Sequence, residues 1–333
     1  MIDDPFSDAL RQLLAGQCTP QLVREIEGGK SAALLWQQLE QSGFADALVS
    51  QEQGGASMSL SDAFPLFELC GSYTVPVPLA ETMMARAVLT SAGLTPPPGS
   101  ITFGRAVVGD ADGVRCEAIV CGRVADWILA TQGSECLLLP VAEATNSPAV
   151  FPLDANLAWP AAGLSGAQRV AGVRDVRTLQ ACIYAAQLAG AMMSVFSRTL
   201  QYANERVQFG RTIGKFQAIQ HQLSVISEHA FAARMAARIG CHSDSAMPDP
   251  IRVAVAKSRT SEAALEVAAL AHSIHGAIGF TEEFDLQLFT RRLHLWRQAG
   301  GSESYWHSVL GTELVDCHEG LALDLIRATT DIH

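Results

Sequence analysis

The sequence predicts a mainly α-helical fold with a small β domain in the middle of the chain. Apolar residues recur at helical spacing up to about residue 92 and again from about residue 173 onward. Between these stretches, short runs of Val, Ile and Leu are separated by Gly, Asp and Pro, which is the pattern of brief strands. We therefore expect an N-terminal helical domain over residues 1–97, a truncated middle β domain over residues 98–172 and a C-terminal four-helix bundle over residues 173–333.

The N-terminal domain is predicted from apolar residues that repeat at the spacing of helical turns. Leu35 and Leu39 form one such pair, and Phe64 and Phe67 form another. A proline-rich segment at residues 96–99 then interrupts the pattern. We interpret this segment as the linker to the next domain.

The middle domain is predicted from three apolar runs, at residues 101–103, 118–120 and 127–129. Turn-forming residues separate the runs at short intervals, and short connections of this kind favour antiparallel pairing. We therefore expect a small, mainly antiparallel sheet.

The C-terminal bundle is predicted from four helical runs, which cover residues 178–204, 216–239, 251–275 and 303–314. They are rich in Ala and joined by short connections, as in an antiparallel bundle. The most apolar stretch, residues 181–193, is too short to cross a bilayer and contains a Gln. We expect it to be a buried helix, and we expect no membrane span.

The charge pattern excludes nucleic acid as an expected partner. The net charge of −11 is spread along the chain, whereas phosphate backbones require clustered Lys and Arg. A Gly-rich turn between a strand and a helix, which would indicate a dinucleotide-binding fold of the Rossmann type, is missing from the sequence.

The eight cysteines are scattered and form no CxxC pair, so the sequence predicts no metal site. Free thiols in a chain of this size are typical of a reducing compartment, and we expect the protein to be cytoplasmic. The acidic residues 1–4 lack the basic start of a secretory signal, which agrees with that expectation.

One motif points to a nucleotide diphosphate. It reads YANERVQFG at residues 202–210 and IGKFQAIQH at residues 213–221, and it resembles the R-x-x-F-G…F-Q-x-x-Q-H signature of the acyl-CoA dehydrogenase family. A guanidinium suits a diphosphate because it donates forked hydrogen bonds. The resemblance implies that Arg206, Phe209 and Gln217 contact FAD held mainly by a neighbouring subunit. The structural alternative is a salt-bridged Arg at a helix end beside a Phe in the bundle core.

A second motif, SIHGAIGFTEE at residues 273–283, resembles the family's Q-x-H-G-G-x-G-[FY]-T-x-E turn. Small residues let backbone N–H groups approach a phosphate closely. The resemblance implies that His275, Gly276 and Gly279 belong to the cofactor site. The alternative is a Gly turn that does no more than end a helix.

Two positions of this second motif depart from the family pattern. Ser273 stands where Gln is usual, which removes a longer hydrogen-bonding side chain. Ala277 replaces a Gly, and this is tolerable only if the residue does not require a positive φ.

The resemblance implies the fold and the chemistry of the family: an acyl-CoA dehydrogenase-like architecture, bound FAD and an acyl-CoA substrate. In that chemistry a carboxylate removes the α-proton of the thioester while the β-hydrogen leaves as hydride to flavin N5. The resemblance also implies a homodimer or tetramer, or an assembly with a paralogous subunit, and an electron-transfer acceptor. The short β domain is most similar to bacterial members that act on bulky substrates such as steroid side-chain CoA esters.

The catalytic carboxylate of the family has no counterpart at either usual place. One place falls at Gly300 and the other at Gln180, and neither residue can take a proton. Three explanations stay open: Glu303 acts as the base, a related subunit supplies it, or the protein has other flavin chemistry or none. For Glu303 the alternative is a structural acid in the first turn of a helix, after Ser302 at the N-cap.

The usual T-E-P-x-x-G-S-D stretch of the middle domain, whose groups contact the flavin ring in the family, is also missing from residues 100–172. The sequence therefore assigns no contacts to the flavin ring.

Overall fold

The computed structural model describes four stretches of the chain: residues 5–108, 113–164, 167–173 and 175–331. The acidic residues 1–4 lie outside the described residues. The chain divides into two compact units, and each combines segments that are distant in sequence. The first unit comprises the described residues of Met1–Leu66, Val75–Ile183 and Ser243–Met247. The second comprises those of Phe67–Thr74, Tyr184–His242 and Pro248–His333. The predicted division into three domains stays a prediction.

Five helices form the N-terminal region: α1 (Pro5–Gln17), α2 (Pro20–Glu27), α3 (Ala33–Gln41), α4 (Leu60–Ser72) and α5 (Leu79–Ser91). Their apolar faces are buried at helical spacing, for example at Leu10 and Leu14 of α1. Helix α2 begins where it does because the Thr19 hydroxyl accepts the Leu22 N–H at 3.2 Å and a proline occupies the first helical position.

A buried arginine ties several segments of the first unit together. Arg86 on α5 donates from Nη1 to both carboxylate oxygens of Asp46, at 3.1 and 3.0 Å. Its Nη2 binds the Glu40 carboxylate and, at 3.1 Å, the carbonyl oxygen of Gly99. These partners neutralise a guanidinium that would otherwise be costly to bury.

The middle region forms one sheet of seven strands: β1 (Ile101–Val108), β2 (Val114–Ile119), β3 (Trp127–Gln132), β4 (Glu135–Pro140), β5 (Thr145–Pro148), β6 (Ala155–Trp159) and β7 (Gln168–Arg169). Their order is β5-β6-β2-β1-β3-β4-β7. Strands β1 and β3 pair in parallel, and the other neighbours pair antiparallel, so the predicted mainly antiparallel sheet is confirmed. Buried Trp159 anchors its core, with the indole N–H donating to the Pro140 carbonyl at 2.8 Å.

The C-terminal region is built from long helices: α6 (Arg177–Glu205), α7 (Gln217–Gly240), α8 (Pro250–His275), α9 (Leu286–Gln298), α10 (Glu303–Thr312) and α11 (Ala322–Thr330). A short hairpin of β8 (Val207–Gln208) and β9 (Arg211–Thr212) connects α6 to α7. Helices α4 and α6 touch backbone to backbone, because a Cβ at Gly190 would lie 1.9 Å from the Glu68 carbonyl oxygen. The predicted long helices are confirmed.

Helix α9 was not predicted. Its buried residues include Leu286, Phe289, Leu293 and Trp296, which recur at helical spacing. Three arginines and one histidine make the segment polar on average, so its apolar period was not recognised. The predicted run at residues 303–314 is also shorter in the structure, because α10 ends at Thr312 and one turn of π-helix follows.

Two helical stretches, Arg177–Glu205 and Pro250–Phe280, are long and apolar enough to pass a test for a membrane span based on length and composition. The core helix of a globular protein passes the same test. In α6, 83% of the apolar window is buried within the chain, which agrees with the buried helix predicted over residues 181–193.

Candidate functional site

The hairpin after α6 places an aromatic side chain in an unusual backbone conformation. Phe209 and Gly210 form its tip, with φ values of +52° and +78°. Two consecutive positive φ values match a type I′ turn, where Asn-Gly is the usual pair. A bulky residue in this region costs roughly 1–3 kcal/mol and persists mainly at functional sites. The Phe209 side chain is 91% exposed.

Arg206 lies at the base of the same hairpin, and its backbone is well fixed. Its N–H donates to the Tyr202 carbonyl and its carbonyl accepts the Ile213 N–H, both at 2.8 Å. Its side chain is exposed, and its guanidinium forms no hydrogen bond or ion pair with any residue that the structure describes. The alternative of a salt-bridged Arg206 beside a core Phe209 is therefore wrong.

Gln217 is brought to the same region because it is the first residue of α7 and is exposed. The residue before it, Phe216, has no side-chain group that could cap the helix. The N–H groups of Gln217 and Ala218 therefore remain available, and a helix N-terminus favours negative charge. The hairpin thus places Arg206, Phe209 and Gln217 within one short segment.

His275 joins the second motif to the first. Its ring stacks on Tyr202, with 4.4 Å between the ring centroids. His275 is only 4% exposed, and its Nδ1 lies 2.8 Å from the Ala271 carbonyl oxygen. Since a carbonyl can only accept, Nδ1 carries the proton. Burial lowers the pKa of His275, although the bond to Ala271 opposes this. A neutral His275 leaves Arg206 as the cation suited to a diphosphate.

The turn after α8 has the backbone that its glycines allow. Gly276 has φ +65° and ψ −146°, a conformation that residues with a β-carbon rarely adopt. Gly279 is buried, and a Cβ there would lie 3.1 Å from the Cβ of His275. Ala277 lies in the 3-10 segment at residues 276–280 and has no positive φ, so its departure from the family pattern is tolerated.

Gly276 ends α8, so the alternative of a glycine turn that ends a helix is confirmed. Contact between this turn and a cofactor stays a prediction. Ser273, the other departure, is exposed, and its hydroxyl accepts a hydrogen bond from Gln222 at 3.2 Å. A cavity of about 630 Å³ opens beside it, with His272, Phe280 and His294 among its lining residues.

The two usual base positions are filled by groups that cannot act as a base. Gln180, in the first unit, is buried, and its amide donates to the Phe103 carbonyl oxygen at 3.2 Å. Gly300, in the second unit, has φ +69°, and its carbonyl oxygen accepts the Trp306 indole N–H at 3.0 Å. Both residues therefore have structural hydrogen bonds in place of an acidic side chain.

Glu303 is the first residue of α10 and forms an ion pair with Arg297. Its side chain is 17% exposed. Burial alone would raise the pKa of Glu303, but its own backbone N–H, Arg297 and Lys257 outweigh burial and hold the pKa below its usual value. A carboxylate with a lowered pKa is a weaker base. Ser302 occupies the N-cap position, but its side chain makes no capping hydrogen bond. The catalytic role of Glu303 stays a prediction.

Lys257 was not predicted from the sequence; it is a fully buried lysine on α8 that contacts the turn at residues 299–302. The available signal was a single Lys within an Ala- and Val-rich stretch of a predicted core helix. The stacking of Tyr202 on His275 was not predicted either, although Tyr202 begins the first motif.

Comparisons with known proteins identify the family of the chain. Residues 179–313 match the family described as acyl-CoA dehydrogenase, C-terminal domain. The chain is 32% identical to the acyl-CoA dehydrogenase IpdE2 of Mycolicibacterium smegmatis over 292 residues, which cover 86% of this chain and 90% of that protein.

Solved structures share the fold. The Tcur3481-Tcur3483 steroid ACAD, solved as a variant, superposes with a TM-score of 0.79 at 22% identity, over 92% of this chain and 95% of that chain. The ChsE4-ChsE5 complex from Mycobacterium tuberculosis superposes with a TM-score of 0.76 at 19% identity, over 94% of this chain and 96% of that chain.

The fold, helical regions with a small β sheet, is that of the solved acyl-CoA dehydrogenase structures. The chain belongs to the acyl-CoA dehydrogenase family. The family consists of FAD-binding flavoproteins, and the predicted fold class is confirmed.

Proposed function

We propose that this chain takes part in the FAD-dependent α,β-dehydrogenation of an acyl-CoA thioester, as one subunit of an assembly whose partner supplies the base. The observation that carries the proposal is the hairpin at Arg206 and Phe209. Its guanidinium has no partner among the described residues, and its aromatic ring is exposed on a strained backbone. Groups with this arrangement are suited to a ligand that lies outside the chain's own core.

The cofactor contacts follow from the chemistry of these residues. The Arg206 guanidinium and the N-terminus of α7 at Gln217 would hold the FAD diphosphate. Phe209 would cover an apolar part of the cofactor, and the turn at His275, Gly276 and Gly279 would approach it with backbone groups. When bound, FAD supplies the acceptor for the substrate hydride.

The partner subunit would supply the base because this chain offers no free carboxylate at either family position. Gln180 and Gly300 have no acidic group, and Glu303 is engaged by Arg297. Two solved structures with the same fold each carry the names of two different proteins. They are the ChsE4-ChsE5 complex and the Tcur3481-Tcur3483 steroid ACAD. This supports a heteromeric assembly and a bulky, steroid-type acyl group.

The turn at residues 299–302 offers donors for the thioester carbonyl oxygen. The carbonyl of Gly300 points to Trp306 and the carbonyl of Gly301 points to Lys257. In a trans peptide unit the N–H points opposite to the carbonyl. The N–H groups of Gly301 and Ser302 are therefore directed away from these anchors. Such donors stabilise the enolate charge that develops when the α-proton leaves.

The second candidate is a non-catalytic subunit that completes the FAD site of a paralogue. It is favoured by the same missing base and by the lack of the usual flavin-ring stretch in residues 100–172. In both cases an electron-transfer acceptor would reoxidise the flavin. Seven cysteines among the described residues are buried and form no disulfide, which supports a reducing compartment, and we place the protein in the cytoplasm.

An anaerobic titration tests the proposal. The chain is purified alone and after co-expression with a paralogue, reconstituted with FAD and mixed with acyl-CoA. We expect the flavin absorption to bleach only in the co-expressed assembly, and to bleach less when the paralogue's own base is removed. Bleaching of the chain alone would show that it supplies its own base. An assembly that binds FAD but retains full bleaching when Arg206 of this chain is replaced would contradict the proposal.

A further inference from the structure

The ammonium group of Lys257 is enclosed by four acceptors. Its Nζ lies 2.8 Å from the Arg297 carbonyl, 2.9 Å from the Trp296 carbonyl, and 3.0 Å from both the Gly301 carbonyl and the Ser261 hydroxyl. The residue is fully buried. An ammonium has three protons, so its donors are all used within this shell.

Two of these acceptors are orphan carbonyls at the end of α9. The last carbonyl groups of a helix have no partner within the helix and carry partial negative charge. Lys257 reaches across from α8 and neutralises those of Trp296 and Arg297. It therefore acts as a C-terminal cap of α9 that a neighbouring helix provides.

The third carbonyl belongs to the turn itself. Lys257 holds the carbonyl of Gly301, and Trp306 holds that of Gly300. Gly301 has φ +99°, and a Cβ there would lie 2.8 Å from the Trp306 Nε1, so the glycine is required for this close contact. The two anchors together fix both peptide groups of the turn.

We propose that Lys257 is a positioning residue that holds the turn at residues 299–302 in the shape that directs the Gly301 and Ser302 N–H groups toward a substrate carbonyl. The catalytic part of this inference rests on the proposed function. The shape of the turn does not, and it can be measured without substrate.

The charge of Lys257 makes this anchor sensitive to pH. The charged side chains that act on it are Glu303 on α10 and Arg297 on α9. The pKa of Lys257 is lowered to about 7 by the balance of three causes: burial, which lowers the pKa most, Glu303, which raises it, and Arg297, which lowers it. Because the pKa of a base is depressed in the fold, the ammonium exists below about pH 7 and is lost above it. A neutral amine has one donor fewer and turns a lone pair toward the carbonyls.

Amide hydrogen exchange and Trp306 fluorescence test the proposal on the FAD-reconstituted assembly. In Lys257→Met, the segment at residues 299–306 should exchange about tenfold faster than in the wild type at about pH 6, because charge-assisted hydrogen bonds are lost. The Trp306 emission, isolated by subtracting that of Trp306→Phe, should shift to the red. Lys30→Met removes an exposed lysine of the first unit and should leave the exchange of this segment unchanged.

If Lys257→Met does not fold, the pH dependence of hydrogen exchange in the wild-type protein provides a second test. Corrected for intrinsic rates, exchange of residues 299–306 should become faster between about pH 6 and about pH 8, while the hydrogen-bonded interior of α7 keeps its protection. In an active assembly, Lys257→Met should slow bleaching at saturating acyl-CoA about tenfold or more and change acyl-CoA affinity less than about threefold.

Equal protection of the turn in Lys257→Met and wild type, or protection in the wild type that does not change with pH, would overturn the inference. An assembly that never bleaches would count against the proposed function, whereas the exchange and fluorescence data would still judge the role of Lys257.

Discussion

The hairpin after α6 and the turn before α10 differ in whether their polar groups have partners within the chain. The hairpin exposes Arg206 and Phe209, and neither is held by polar partners among the described residues. The turn at residues 299–302 contains no acidic side chain, and the carbonyls of Gly300 and Gly301 accept hydrogen bonds from Trp306 and Lys257. The side chains of the hairpin are therefore available for contacts outside the chain's own core, whereas the backbone of the turn is fixed by hydrogen bonds from within the chain.

This contrast fits a subunit that contributes cofactor contacts and backbone donors but not the proton acceptor. The contrast can be tested in two ways, by replacing the exposed side chains of the hairpin or by replacing the buried side chains near the turn.

The largest effect is expected for Arg206→Ala. FAD affinity should fall about 100-fold, because two charge-assisted hydrogen bonds to the diphosphate are lost. Equilibrium titration followed by flavin fluorescence measures this. Arg206→Lys should recover only part of the affinity, since an ammonium cannot donate a fork. Arg238→Ala, which removes an exposed arginine at the other end of α7, is the matched control and should bind FAD as the parent does.

The next effect concerns Glu303. Glu303→Gln should lower the free energy of unfolding by about 1–3 kcal/mol, because Arg297 loses a largely buried partner. The rate of flavin bleaching in the co-expressed assembly should change less than about threefold. Urea denaturation and stopped-flow absorbance report the two quantities separately. A loss of bleaching of about 100-fold or more would identify Glu303 as the base after all.

At the hairpin tip we expect two smaller effects of opposite sign, a gain in stability and a loss of FAD affinity. Phe209→Asn should raise the free energy of unfolding by about 1 kcal/mol, because Asn tolerates the left-handed region better than a bulky side chain does. The same change should weaken FAD binding about tenfold by removing an apolar contact. If stability falls instead, the positive φ of Phe209 is not a source of strain.

The smallest effect is expected at Ser273. Ser273→Gln restores the usual residue of the family motif and should tighten FAD binding about threefold to tenfold through one more hydrogen bond. The exposed bond from Gln222 would be lost, with little effect on stability. Unchanged affinity in a calorimetric titration would show that this position does not face the cofactor.

The sequence predicted the elements whose pattern is local. The long helices follow from apolar periodicity over more than twenty residues. Helix α8 begins at Pro250, one residue before the predicted run, because the Asp249 side chain caps the helix and a proline occupies its first position. Helix α9 escaped prediction because polar residues dilute its buried face. The parallel pairing of β1 and β3 also could not be predicted, since it depends on the order of strands in space.

For the candidate site, motif resemblance located Arg206, Phe209, Gln217 and the Gly276 turn, but it could not show their environment. The exposure of Phe209 and its positive φ depend on the hairpin that follows α6. Lys257 has no motif of its own, and its role emerges only where α8, α9 and the turn meet.

The most direct test of the account is the structure of the assembled protein with FAD bound. We predict that the Arg206 guanidinium lies within hydrogen-bonding distance of the diphosphate of an FAD held mainly by another chain, with the Gly276 turn beside it. An occupied assembly in which Arg206 points into solvent, away from every bound diphosphate, would contradict the account.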